Sequence, residues 1–180
     1  MTESRLVPFE SGGLVPEDDG WFVLNAKDAR WLDGTLGAYC AWEGREEAAR
    51  FTQLGINLNV LKPGVPMAMY HRESGQEDFL VLDGECLLIV EGEERPLKQW
   101  DLFHCPPDVP HTIVGGGDRP SLVLAVGVRV PAEEENLLYP ADPVAQRHGA
   151  GVATETASPD DAYEGMTHEW RTYEPGWLPE

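Results

Sequence analysis

Between Gly64 and Gly115, four side chains have the chemistry to hold a metal ion: His71, Glu73, Glu77 and His111. Neutral imidazole and carboxylate suit divalent Zn, Fe, Mn, Ni or Co, and geometry rather than affinity order selects among these ions. Two imidazoles with one or two carboxylates leave positions open to water or substrate, as a reactive centre requires. Glu73 is read several ways: a direct ligand, an acceptor that orients His71, a catalytic general base, or a rim carboxylate in water. The same groups also have a self-contained arrangement in which His71 and Glu77 satisfy each other without an ion, because buried charges need partners.

Such a set works only if strands bring it together. Leu54–Leu61 alternates apolar and polar residues with the period of a half-buried strand. Lys62-Pro63-Gly64 reads as a turn, and Phe79–Leu82 runs into Asp83-Gly84, a strong hairpin signal. Strands are expected at Trp21–Leu24, within Trp31–Trp42, and at Cys86–Val90, Leu97–Cys105, His111–Val114 and Ser121–Val130. Short, regularly spaced strands without intervening helices predict an all-β antiparallel barrel. Asp142-Pro143 followed by Gly149 marks a short helix, and Ser158-Pro159 opens a further turn. Glu46–Arg50 has room for one helical turn. The chain divides into N-terminal strands and loops over 1–50, a barrel core over 51–130, and a C-terminal extension with an aromatic tail over 131–180.

The Gly64–Gly115 segment resembles the cupin family of double-stranded β-helix, or jelly-roll, barrels. Gly64, Glu77 and Gly84 match the ends of that family's first motif. Pro106 and His111 match its second, with Trp100, Asp108 and Gly115 replacing a glycine, a glycine and an asparagine. Counted from Gly64, the two histidine positions of the first motif hold Tyr70 and Arg72. Counted back from Glu77, they hold His71 and Glu73. A one-residue slip turns every side chain to the other face. The second register turns Met67 and Met69 inward below a polar rim, whereas the first aims Arg72 into the barrel, so the second is preferred. The resemblance implies a metal-binding barrel acting on a small molecule in its mouth. Dioxygenase, isomerase, epimerase and decarboxylase chemistry all stay open, since a fold does not choose a reaction. The alternative is a non-catalytic barrel that binds a sugar or metabolite.

Other features narrow the partners. A net charge of −19 excludes nucleic acid, because nothing could neutralise phosphates, and an anionic membrane surface would repel the chain. No apolar run reaches the roughly 20 residues of a membrane helix. The N-terminus lacks a basic stretch before an apolar core, so no secretory signal is visible. Cys40, Cys86 and Cys105 are an odd count, which argues against a disulfide framework and for a reducing cytoplasm. Phe79–Leu82 and Cys86–Val90 are apolar on both faces. Their outer faces must be covered by the terminal segments or by a second copy, and a homodimer is expected. His104 and Cys105 adjoin in a strand, point to opposite faces and are expected as packed core residues. His148 and His168 are expected at the surface.

Overall fold

Twelve strands and two helical turns build the computed structural model, which describes residues 2–44, 50–131 and 133–179. The strands before the barrel are β1 (Leu6–Pro8), β2 (Leu14–Pro16), β3 (Arg30–Gly34) and β4 (Gly37–Ala41). The barrel strands are β5 (Leu54–Leu61), β6 (Glu77–Asp83), β7 (Glu85–Val90), β8 (Glu93–Lys98), β9 (Leu102–Cys105), β10 (His111–Gly115) and β11 (Ser121–Val128). After them come α1 (Pro143–Arg147), α2 (Pro159–Ala162) and β12 (His168–Arg171). One sheet has the order β12-β3-β4-β5-β11-β6-β9, the other β10-β7-β8, and β1 pairs with β2 alone. Every pairing between named strands is antiparallel, as the jelly-roll expectation requires.

The turns follow from residue type. Glu91 and Gly92, between β7 and β8, have φ of 50° and 75°, the two positive values that match a tight hairpin to strand twist. Gly64 and Gly84 each have φ of 78° at the turns expected there. Asp142 caps α1 by accepting from the backbone N–H of Val144 and Ala145, and Ser158 caps α2 through Asp161.

Two cores lie on opposite sides of the large sheet. The interior core joins Phe79, Val81 and Val123 of that sheet to Cys86, Leu88 and Ile113 of the smaller one. Each fully buried side chain of this size is worth about 1.5–3 kcal/mol. The outer core gathers Trp31, Cys40, Leu58, Val60 and Leu122, with Tyr173 and Trp177 of the tail against it.

This second core reverses the expected polarity of β5. Asn59 pairs with Val123 and therefore faces the barrel interior, while Leu58 and Val60 face outward. The alternation is real, but its apolar half belongs to the tail-covered face. The outer face of β7 is likewise covered from within the chain, with Ile89 packed against Tyr70 and Ala145. The terminal segments thus provide the cover that a second copy was expected to supply at β7.

Trp21–Leu24 is not a strand: Trp21 makes one isolated bridge to Glu3, and Val23 is 80% exposed. The strand expected over Leu97–Cys105 breaks at Gln99-Trp100, where Trp100 takes φ of 74°. Residues 133 and 134 form a turn. The helical turn expected over Glu46–Arg50 falls on residues 46–49, outside the described residues.

Candidate metal centre

His71 and His111 meet because they are directly opposite in an antiparallel bridge. The His71 backbone N–H donates to His111 O at 3.1 Å, and the His111 N–H donates to His71 O at 2.8 Å. Residues paired this way project from the same face, and the two rings lie 5.1 Å apart. Tyr70, one position back, points the other way into the contacts beneath α1, and its hydroxyl accepts from Gly92 N–H. Arg72 turns out to an ion pair with Asp108 at 2.8 Å.

Glu77 enters from the first residue of β6, opposite Gly127 of β11 and Cys105 of β9. A Cβ on Gly127 would lie 3.5 Å from Glu77 Cγ, in ordinary van der Waals contact. Oε2 of Glu77 lies 3.2 Å from His111 Nε2 and 3.8 Å from His71 Nε2. Among the described residues, His71, Glu77 and His111 form the group whose ligand atoms all fall within 4.8 Å of one another. Glu73 stands outside it.

Backbone carbonyls set the ring orientations. His71 Nδ1 lies 2.8 Å from Met69 O, and His111 Nδ1 lies 3.0 Å from Val109 O. A carbonyl only accepts, so each Nδ1 carries the proton and donates it. With only Nδ1 protonated, each Nε2 presents a lone pair toward Glu77, the arrangement in which a histidine binds a metal. Oε2 of Glu77 is buried and accepts no hydrogen bond, because His111 Nε2 is close but misaligned. Three acceptors converging without a donor are unfavourable unless a cation or a proton lies between them. The donor set and the orphaned oxygen both fit a divalent ion.

Electrostatics in the metal-free chain agree with this. Burial pulls His111 down, but its contacts with Cys105 and Glu77 outweigh that and raise it above the ordinary histidine value. Burial, reinforced by the charge on His111, lowers His71. One proton on the His111 side thus relieves the convergence, at the place where a metal would bind.

A cleft of about 270 Å³ reaches Glu77 and is also lined by Asn57, Glu73, Arg129 and Glu135. Burial first, then the charges of Glu77 and Glu135, raise Glu73 to about 7. A larger cavity of about 630 Å³ lies between the β3–β4 hairpin and residues 159–168, and reaches Met67, Tyr39 and Tyr163. None of the three grouped side chains lines it, so the smaller cleft is the one joined to the candidate chemistry.

Three contacts were not visible in the chain's motifs. Cys105 Sγ lies 3.3 Å from His111 Nδ1, across the Pro106–Pro110 turn. Tyr139 lies with its ring 5.9 Å from that of His71 and packs edge-on against Tyr163. Its burial and the adjacent Tyr163 raise its phenol above the ordinary range. The only sequence signal for either tyrosine was the aromatic content of the extension. His104, expected in the core, is instead exposed and paired with Asp78 at 2.7 Å, because it lies on the outward face of β9. Cys105 is buried as expected. His148 pairs with Glu94 at 2.8 Å, and His168 is exposed on β12.

Residues 57–127 match the sequence profile of the family described as Cupin domain. No curated protein matches the sequence. Among solved structures, the polyketide cyclase RemF from Streptomyces resistomycificus is 12% identical, with 78% of this chain and 89% of that one covered and a TM-score of 0.54. A predicted oxalate decarboxylase from Thermotoga maritima is 19% identical over 60% of this chain and 99% of its own, with a TM-score of 0.50. A protein from Acidithiobacillus ferrooxidans, provisionally named a sugar phosphate isomerase, is 24% identical with a TM-score of 0.45. The alignment covers 52% of this chain and spans 61% of that protein's length. At these identities the likeness is one of fold.

Proposed function

We propose that this chain, which carries a cupin domain, binds a divalent transition metal through His71, Glu77 and His111 and acts as an enzyme on a small molecule admitted by the adjoining cleft. The observation that carries the reading is the orphaned Glu77 Oε2, buried where two Nε2 lone pairs converge. The two histidines and one carboxylate leave room for further ligands, and Zn, Fe, Mn, Ni and Co all accept this donor set. When bound, such an ion supplies Lewis-acid polarisation of a substrate oxygen, or dioxygen chemistry if it is iron.

The chain's own residues do the rest. Met69 O and Val109 O hold the two rings with Nε2 forward. Glu73, on the cleft wall and raised to about 7, is placed to take a proton from a substrate near neutral pH. Phe79 and Phe103 stack on one side of His111 and keep water from that face.

A second reading, a barrel that holds a small metabolite without converting it, is supported by the larger cavity, whose wall includes Leu32, Met67 and Met166 and none of the grouped ligands. A homodimer is supported by Trp100 and Leu102, which are 68% and 64% exposed beside β6. The three free cysteines fit a reducing cytoplasm. Elemental analysis of protein purified without added metal tests the leading reading. Near-stoichiometric transition metal is expected, and protein that neither contains nor takes up such an ion would overturn it.

A further inference from the structure

The cleft beside Glu77 is lined by acidic side chains and by one cation. Glu73, Glu77 and Glu135 contribute carboxylates, Asn57 an amide, and Arg129 a guanidinium. That guanidinium is engaged: Arg129 Nη2 donates to the carboxylate of Glu43, which follows β4 and is only 13% exposed. Arg129 follows β11, so this ion pair reaches over the end of β5, where the guanidinium also lies against Gly55. Arg72, the cation of the neighbouring segment, is bound to Asp108 and lines no part of the cleft.

We infer that Glu43 sets the charge preference of this site: by holding Arg129 it leaves the cleft to ligands that are neutral or cationic and rich in hydrogen-bond donors, and closes it to anions. The inference rests on the reading of this cleft as the approach to His71, Glu77 and His111. In the metal-free cleft, an entering phosphate or carboxylate would meet carboxylates with no uncommitted cation on the described walls. In a narrow, partly dry cleft such repulsion is stronger than in water. Ionised carboxylates only accept hydrogen bonds, so a ligand satisfies them through hydroxyl or ammonium donors. Glu43 lines no part of the cleft and acts through Arg129.

The test titrates inorganic phosphate and methylammonium into wild type, Glu43→Gln and Arg129→Gln, by calorimetry on chelator-stripped protein. Wild type is expected to bind methylammonium in preference to phosphate. Glu43→Gln should gain at least about tenfold in phosphate affinity, because Arg129 is freed to face the cleft. Arg129→Gln should leave phosphate binding within about twofold of wild type, since that cation is already committed. Phosphate preferred by wild type, an unaltered phosphate affinity in folded Glu43→Gln, or a tenfold loss in Arg129→Gln would each overturn the inference. If Glu43→Gln does not fold, the Arg129→Gln result alone decides. Metal content, measured separately, reports on the metal reading, so the two fail independently.

Discussion

Two histidine–carboxylate pairs lie back to back at the start of β6, on opposite faces of its sheet. On the outer face, His104 of β9 meets Asp78 of β6 at 2.7 Å in a hydrogen-bonded, largely exposed contact. On the inner face, His111 meets Glu77, the residue before Asp78, in a buried contact that is close but misaligned. The side-chain chemistry is the same; the outer pair joins neighbouring strands of one sheet, whereas the inner pair joins β6 to β10 of the other sheet across the interior. Outside, water and Gln76 complete the carboxylate's hydrogen bonds, and the pair is a minor surface contact. Inside, backbone carbonyls have already claimed both Nδ1 protons, and the remaining polar atoms face one another. What distinguishes a binding site from a salt bridge here is a buried oxygen that no aligned hydrogen bond reaches.

The largest expected effect sharpens that contrast directly. His111→Ala should lower metal affinity by at least about a hundredfold, since even outer-shell partners of a metal are worth about 10–100-fold. His104→Ala should leave it within about threefold and change stability by no more than about 1 kcal/mol. Metal titration with elemental analysis checks both, and equal losses in the two variants would erase the distinction between inner and outer pairs.

Metal addition should separate them next. An ion at a hundred times its dissociation constant stabilises the folded chain by about 2.7 kcal/mol. Thermal melts of wild type and His104→Ala should rise with added ion and fall back with chelator, while His111→Ala should stay flat. A smaller effect is expected without metal. Glu77→Gln removes the carboxylate that favours the His111 proton, so the stripped variant should be less stable than stripped wild type by about 1 kcal/mol or more. Denaturant unfolding measures this, and a gain of similar size would show that no proton bridges the stripped pair.

The smallest effect lies in pH dependence. Glu73 is raised from 4.5 to about 7, chiefly by burial. A carboxyl raised on folding contributes stability that is complete below its unfolded value and is lost as pH rises toward its folded one. Stripped protein should therefore lose stability between about pH 4.5 and 7, and Glu73→Gln should flatten that slope. Asp78 is lowered, chiefly by its hydrogen bond to His104, and gives the opposite sign: its contribution is lost as pH falls below the ordinary aspartate value. Melts across this range check both signs.

Much of this contrast was legible in the chain, for identifiable reasons. Glu77 and His111 fall on motif positions because hairpin and turn lengths fix where β6 and β10 begin. His71 needed a choice of register, which the side-chain alternation around Met67 and Met69 supplied. His104 departs from the core expectation because β9 is buried on one face only, and the chain's pattern does not show that the other is open to solvent. The contact between Cys105 and His111 depends on how the Pro106–Pro110 turn folds back, and no local pattern encodes that. The asparagines of β5 misled for another reason. Periodicity reports that two faces differ, and only the tail's docking decides which of them is the apolar interior.

That docking also bears on when the protein becomes itself during synthesis. Thr167 and Thr35, 132 positions apart, exchange hydrogen bonds where β12 joins β3, and Trp177 rests against Trp31. A nascent chain halted after β11 would lack Tyr173, Trp177 and Leu178 from the core around Leu58 and Val60. The ring of His71 would also lack its neighbour Tyr139. Synthesis must therefore pass residue 177 before the outer core closes, and until then this chain is exposed to aggregation and to chaperones.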